Sequence, residues 1–170
     1  MEETLRLRPW RDDDVERLVE IANDADVARY MADRFPHPYT IEDARFWIAL
    51  QDEFAAVNNF AIEVDGELAG GIGMDPLVGE RRTGAHFGYW LGRAYWGRGI
   101  ATAACAAFTE YAMDRRGFIR LEATVYAPNI PSMRVLEKCG YTCEGIMRSA
   151  VIKRGEILDS HLYAKVTVRA

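Results

Sequence analysis

A chain of 170 residues, 49% hydrophobic and 28% charged, has the composition of one ordinary globular domain with enough apolar side chain to close a core, and residues 1–170 are read as a single domain. No apolar run approaches the roughly 18 to 20 residues that span a bilayer; the acidic start Met1-Glu2-Glu3-Thr4 lacks a following apolar stretch, which predicts a soluble, unexported, cytoplasmic protein without a membrane partner. A formal charge of -5 argues against a nucleic-acid partner and suits a cationic acceptor, while the odd set Cys105, Cys139 and Cys143, with no His or Cys at ligand spacing, predicts reduced thiols buried in the core and no metal.

Leu5-Arg6-Leu7-Arg8 alternates in period two up to Pro9 and reads as a first strand. A helix follows, capped by Asp12 or Asp13, with Val15, Leu18, Val19 and Ala22 on its core face. Phe35-Pro36-His37-Pro38-Tyr39 cannot continue a helix and reads as a loop. Thr40 and Asp43 form a capping box for a second helix whose apolar stripe is Ala44, Trp47, Ile48 and Phe54.

From Phe60 the period changes to two, and strands 60–64 and 68–74 flank the Asp65-Gly66 turn of a hairpin. A strand over 82–91, a helix over 99–113, a strand over 121–126 and a helix over 131–139 come next. Strands 143–153 and 157–168 close the chain. The order βααβββαβαββ predicts an α/β (mixed α+β) fold, one mixed sheet with helices on its faces.

The most informative segment is Gly88-Tyr89-Trp90-Leu91-Gly92-Arg93-Ala94-Tyr95-Trp96-Gly97-Arg98-Gly99-Ile100-Ala101-Thr102, an apolar strand that ends in a glycine-bearing loop and opens a helix. The first amides of a helix lack internal partners and carry its positive dipole end, so this geometry favours a bound phosphate. Taken alone, a short Gly-x-Gly is equally a tight strand-to-helix turn with no ligand. Thr102 stands where a dinucleotide fingerprint has its third glycine, and the Gly-Lys-Ser/Thr of a triphosphate loop is absent.

The segment resembles the coenzyme A pyrophosphate loop of the GCN5-related N-acetyltransferases (GNAT), Gln/Arg-x-x-Gly-x-Gly/Ala, with Gly99 and Ala101 in register and Trp96 in place of Gln or Arg. Tyr-Trp-Gly-Arg/Lys-Gly-x-Ala is similar to the ribosomal-protein N-terminal acetyltransferase (Rim-type) branch. Asn129-Ile130-Pro131-Ser132 through Glu137-Lys138-Cys139-Gly140-Tyr141 resembles that branch's Asn-x-x-Ser-x-x-x-x-Glu-Lys-x-Gly-Phe/Tyr block, and Pro38-Tyr39-Thr40 and Glu144-Gly145 extend the similarity.

The resemblance implies a mostly antiparallel sheet splayed between its fourth and fifth strands, and an enzyme that moves an acetyl group from acetyl-coenzyme A to an amine acceptor. Backbone at Trp90 and Leu91 would bind the pantetheine and supply an oxyanion amide, and the amides of Arg98, Gly99, Ile100, Ala101 and Thr102 would hold the pyrophosphate. Asn129 would bond the pantetheine and Ser132 would protonate the departing thiolate, because the position where many relatives carry Tyr is Leu136 here. The plain alternative is that Asn129 and Ser132 only cap their helix. His86 stands where relatives have Glu before the Gly-Tyr-Trp of the fourth strand, and could relay the amine's proton. The plainer reading of His86 is a satisfied structural histidine.

Tyr30 and Phe35 fall in the loop region that borders the acceptor in relatives, although such aromatics are more often core. The acceptor could be a protein N-terminus or a small molecule such as an amino acid, polyamine or aminoglycoside. The resemblance leaves room for a homodimer. A different class of function, a non-catalytic acyl-coenzyme A sensor or partner-binding module, would keep the same loop and differ only in turnover.

Overall fold

The computed structural model describes residues 4–53 and 56–167. Its strands are β1 (Leu5–Arg8), β2 (Asn59–Val64), β3 (Glu67–Pro76), β4 (Gly84–Leu91), β5 (Arg120–Tyr126), β6 (Thr142–Lys153) and β7 (Glu156–Val166). They hydrogen-bond in the order β1-β2-β3-β4-β5-β7-β6. Neighbours β1-β2, β2-β3, β5-β7 and β6-β7 are antiparallel, whereas β4 and β5 are parallel, so the sheet is mixed and mostly antiparallel as predicted. The helices are α1 (Val15–Ala22), α2 (Ala25–Ala28), α3 (Ile41–Gln51), α4 (Ile100–Glu110) and α5 (Ile130–Lys138).

Among the described residues, helix α2 is the one α-helix added to the predicted order. It is a single turn that Asp24 starts by accepting the amides of Asp26 at 2.8 Å and Val27 at 3.3 Å, and four residues are too few to show a helical period. Helix α4 also differs from expectation. Its regular turns stop at Glu110, residues 111–115 continue in wider π turns, and Gly117, at φ 76°, ends the segment.

The chain forms two compact units, the first made by residues up to Gly73 together with Tyr89–Ala104, the second by Met74–Gly88 and residues from Cys105 onward. In the first unit Trp10, Leu18, Ile21, Ala22, Tyr39, Ala44, Ile48, Ala61 and Leu68 form the core, with Val15, Val19, Phe35, Trp47 and Trp90 packed half-buried against it. The predicted stripe of α1 lies in this cluster because spacings of three and four residues return to one helix face. Trp10 meets Trp47 edge to face at 6.3 Å between centroids.

Neither Asp12 nor Asp13 caps α1. Residues 12–14 form a 3-10 turn, and it is the buried Asp14 that accepts the Arg11 amide at 2.9 Å. Its carboxylate also takes both terminal nitrogens of Arg8, at 2.8 and 2.7 Å, while the Nε of Arg8 reaches Glu63. A carboxylate this buried is tolerable only when paired, and the alternation of β1 delivers the arginine. The Thr40 capping box forms as predicted: Thr40 Oγ1 accepts the Asp43 amide at 3.2 Å and Asp43 accepts the Thr40 amide at 2.8 Å. Helix α3 ends at Gln51, and Phe54, expected on its stripe, lies outside the described residues, as does Val168 of the last predicted strand. The β2-β3 hairpin turns through Asp65 and Gly66 at φ 51° and 87°.

In the second unit Phe87 of β4 packs against Phe108 of α4 at 5.9 Å and Tyr141 at 5.2 Å. The Tyr141 hydroxyl shares a buried 2.7 Å hydrogen bond with Thr109. Leu121, Leu136 and Tyr163 are buried, and the Tyr163 hydroxyl donates to Glu137 of α5 at 2.9 Å. Cys105 and Cys139 are buried as expected, but Cys143 is exposed. It lies on β6, the last strand in the sheet order, with β7 alone beside it.

Candidate active site

The end of β4 is held by close backbone contact with β3 inside the first unit. A Cβ added at Gly70 would stand 2.1 Å from the Trp90 carbonyl oxygen and 2.9 Å from Leu91 Cα, so only glycine fits there. A trans peptide holds its carbonyl and its N–H on opposite sides. A Trp90 carbonyl that faces β3 therefore turns the Leu91 N–H away from β3. In the next peptide the Gly92 N–H donates to the Ala69 carbonyl at 2.8 Å, which turns the Leu91 carbonyl away from β3 as well. There that carbonyl accepts the indole N–H of Trp96 at 2.9 Å.

Beyond Gly92 the chain makes a 3-10 turn over Arg93–Tyr95 and climbs to α4. Arg93 pairs with Asp26 at 2.6 Å, and Arg17 donates to the Tyr95 hydroxyl at 3.1 Å. Gly97 and Gly99 sit at φ 74° and 78°, a left-handed conformation that L side chains enter only with strain. An added Cβ at either would meet nothing within 4 Å, so the space beside both is open. The Ala103 N–H donates to the Gly99 carbonyl at 3.1 Å, and Ile100, Ala101 and Thr102 precede it in the first turn of an eleven-residue helix. Arg98 leans over the Tyr95 ring at 5.3 Å and donates to the Ala94 carbonyl at 3.3 Å, so its charge stands at the loop beside the positive helix end.

Phe35 packs at 5.2 Å against both Tyr39 and Trp90, which joins one predicted acceptor residue to the strand end. Tyr30 instead stands under the guanidinium of Arg29 at 5.3 Å.

The second unit carries the remaining candidates. His86 is half-buried on β4, and its Nε2 is 3.2 Å from Thr124 Oγ1 on β5. Asn129 occupies the cap position of α5, yet its side chain makes no cap hydrogen bond, and Ser132 lies two residues inside the helix, half-buried. Side-chain capping of α5 by Asn129 is therefore not observed. Leu136 is fully buried.

Two features escaped the sequence reading. One is the Trp96 indole bond, although Gly70-Gly71-Ile72-Gly73 signals a strand that another backbone approaches closely. The other is an ion-pair network beside His86, whose register partner on β5 is Glu122. The buried Glu122 accepts Arg81 at 2.7 Å and Arg120 at 3.0 Å, and Arg120 continues to both oxygens of Glu144 at 3.0 and 2.7 Å. Burial pushes the Glu122 carboxyl up, but the hydrogen bonds from Arg120 and Arg81 outweigh it and hold it below its ordinary value. Arg120 lowers the exposed Glu144 in the same way.

Residues 4–142 match the model of the acetyltransferase (GNAT) domain, and the chain belongs to the GNAT acetyltransferase family. The uncharacterized N-acetyltransferase p20 of Bacillus licheniformis is 28% identical over 169 residues, which cover 95% of this chain and 92% of the relative. The L-amino acid N-acetyltransferase AaaT of Escherichia coli K12 is 26% identical over 132 residues, 77% of this chain and 79% of its own. RimL, a ribosomal L7/L12 alpha-N-protein acetyltransferase solved with coenzyme A, shares the fold with a TM-score of 0.86 at 23% identity, over 96% of this chain and 94% of that one.

A carboxyl whose folded pKa is lowered contributes stability that is complete above its unfolded pKa, about 4.3 for Glu, and lost as pH falls through the folded value. Glu122→Gln should therefore lower the urea midpoint at pH 7, and the gap to the parent protein should narrow below about pH 4. A gap that stays constant with pH would show that Glu122 acts through packing and not through its charge.

Proposed function

We propose that the protein transfers the acetyl group of acetyl-coenzyme A to a primary α-amine by direct attack of the amine on the thioester. The observation that carries this reading is the junction from Leu91 to Thr102, where a strand-end amide, two left-handed glycines with open space beside them and a helix N-terminus follow within a dozen residues. The amides of residues 98–102 hold the pyrophosphate, with Arg98 adding charge. Backbone at Trp90 and Leu91 receives the pantetheine arm, and the Leu91 N–H meets the oxyanion.

In the reaction the amine nitrogen bonds to the thioester carbon, the carbon–sulfur bond breaks, and the sulfur leaves with its electron pair. Ser132, or water, gives the thiolate a proton, and Asn129 holds the pantetheine; its lack of a cap bond supports that use. The nitrogen sheds a proton through His86, directly or through water. No group is consumed: one proton leaves the amine, one reaches the thiol, and the serine is restored from solvent.

The α-amine is favoured by acidity. With a pKa near 8 an α-amino group keeps a useful neutral fraction at pH 7, whereas a lysine side chain at about 10.4 is almost wholly charged. The net charge of -5 suits a cationic acceptor of either size. A protein N-terminus, as the name of RimL states for that enzyme, and a free amino acid, as the name of AaaT states for that one, are the two forms to compare. Release of free coenzyme A thiol with peptides, amino acids, spermidine and an aminoglycoside at equal concentration separates them. Turnover confined to the last two would overturn the α-amine reading.

Gly99→Glu should abolish acetyl-coenzyme A binding in calorimetry while the variant keeps its circular dichroism. A folded variant that binds normally would place the coenzyme elsewhere. Ser132→Ala should lower kcat and leave coenzyme affinity unchanged, and full turnover would reduce the serine to a helix residue. His86→Gln should remove the acidic limb of the pH–rate profile and lower its plateau, measured with one acceptor and saturating acetyl-coenzyme A. Superimposable profiles would return His86 to a structural role with Thr124.

A further inference from the structure

Both polar groups of Leu91 face the side of β4 away from β3, the N–H because the Trp90 carbonyl turns toward Gly70 and the carbonyl because the Gly92 N–H goes to Ala69. A ligand that runs along this side meets a donor and an acceptor together. The two have opposite effects on a reacting thioester: the N–H stabilises negative charge that develops on the oxygen, and a bare carbonyl oxygen repels it. Trp96 resolves the conflict by placing its indole N–H on the Leu91 carbonyl at 2.9 Å.

We infer that Trp96 is a positioning residue for acetyl transfer, whose indole N–H neutralises the Leu91 carbonyl so that only the Leu91 amide acts on the thioester. The inference rests on the coenzyme reading of this strand end given above. The clamp is double. The peptide between Leu91 and Gly92 is tied at its N–H to Ala69 and at its carbonyl to Trp96, which prevents rotation of the peptide plane and fixes the neighbouring Leu91 N–H. The clamp also links chemistry to binding, because Trp96 directly precedes Gly97 of the phosphate loop. Trp96 is 46% exposed, too open for its ring to be a main support of the core.

The bond explains the residue type. Trp has one property that Phe and Leu lack, a side-chain N–H able to reach a carbonyl. The requirement is for the donor and not for the ring.

Three variants test this on the whole chain. Trp96→Phe keeps the ring and loses the donor; kcat should fall about tenfold, less than the roughly hundredfold or more for a lost oxyanion donor because the Leu91 amide itself remains, with the acetyl-coenzyme A Kd within about threefold and the melting midpoint unchanged. Trp96→Gln, which restores a donor without a ring, should recover most of kcat. In the free protein the Trp96 indole N–H should exchange with solvent more slowly than that of an exposed tryptophan. Unchanged kcat in Trp96→Phe, or equal losses in Phe and Gln accompanied by a lower melting midpoint, would overturn the inference. Gly99→Glu separates the two levels: if that variant binds the coenzyme normally, the site reading itself fails, whereas lost binding there with full activity in Trp96→Phe removes the positioning role alone.

Discussion

The structure of this acetyltransferase depends on how closely β4 can lie against β3 at its far end. The Trp90 carbonyl sits where any side chain on Gly70 would be, and this contact sets the direction of every polar group from Trp90 to Gly92. Strand β4 keeps a backbone bond to β3 through Gly92, while its pairing with β5 spans only Gly84–His86 on one side and Arg120–Glu122 on the other. A strand bonded on one side and extended past its partner on the other presents main-chain groups to whatever enters beside it.

The loop that follows extends the same economy of side chains. Its two open glycines let backbone reach positive φ, and the helix they introduce brings a partial positive charge that costs no lysine. Arg98 adds a full charge but is held on the Tyr95 ring, and Tyr95 in turn receives Arg17 from α1. Loop position is thus set from within the first unit, by α1 through Tyr95 and by α2 through the Arg93–Asp26 pair.

Much of this was legible in the residues. Period two located β1, the β2-β3 hairpin and β4 to within about two residues, and the Thr40–Asp43 box marked the start of α3 because the capping bonds are local in sequence. What escaped was either too short or too distant. The single turn of α2 has no period, and Asp14 displaced its neighbours as the helix-start carboxylate through Arg8, a partner that the chain brings from β1 and that Glu63 of β2 also engages. The Rim-type pattern marked the segment around Trp96, but the partner of the indole follows from the direction of a peptide plane that only the β3 glycines impose. Glu122 stood out in no sequence pattern because Arg81 reaches it from 41 residues away, although Arg120 is two residues off on the same strand.

The distribution of charge supports chemistry done by groups of low net charge. Asp14 and Glu63 are engaged by Arg8, and Glu122 and Glu144 by Arg120, so these carboxylates serve architecture. The groups proposed for the reaction are a hydroxyl, an imidazole and main-chain amides, none of which must be held as a permanent ion. Acetyl transfer from a thioester creates charge only in passing, on the carbonyl oxygen, the departing sulfur and the attacking nitrogen. Fixed dipoles that are already oriented meet such charge without reorganising, whereas a buried permanent ion would need a counterion that the substrate would have to displace.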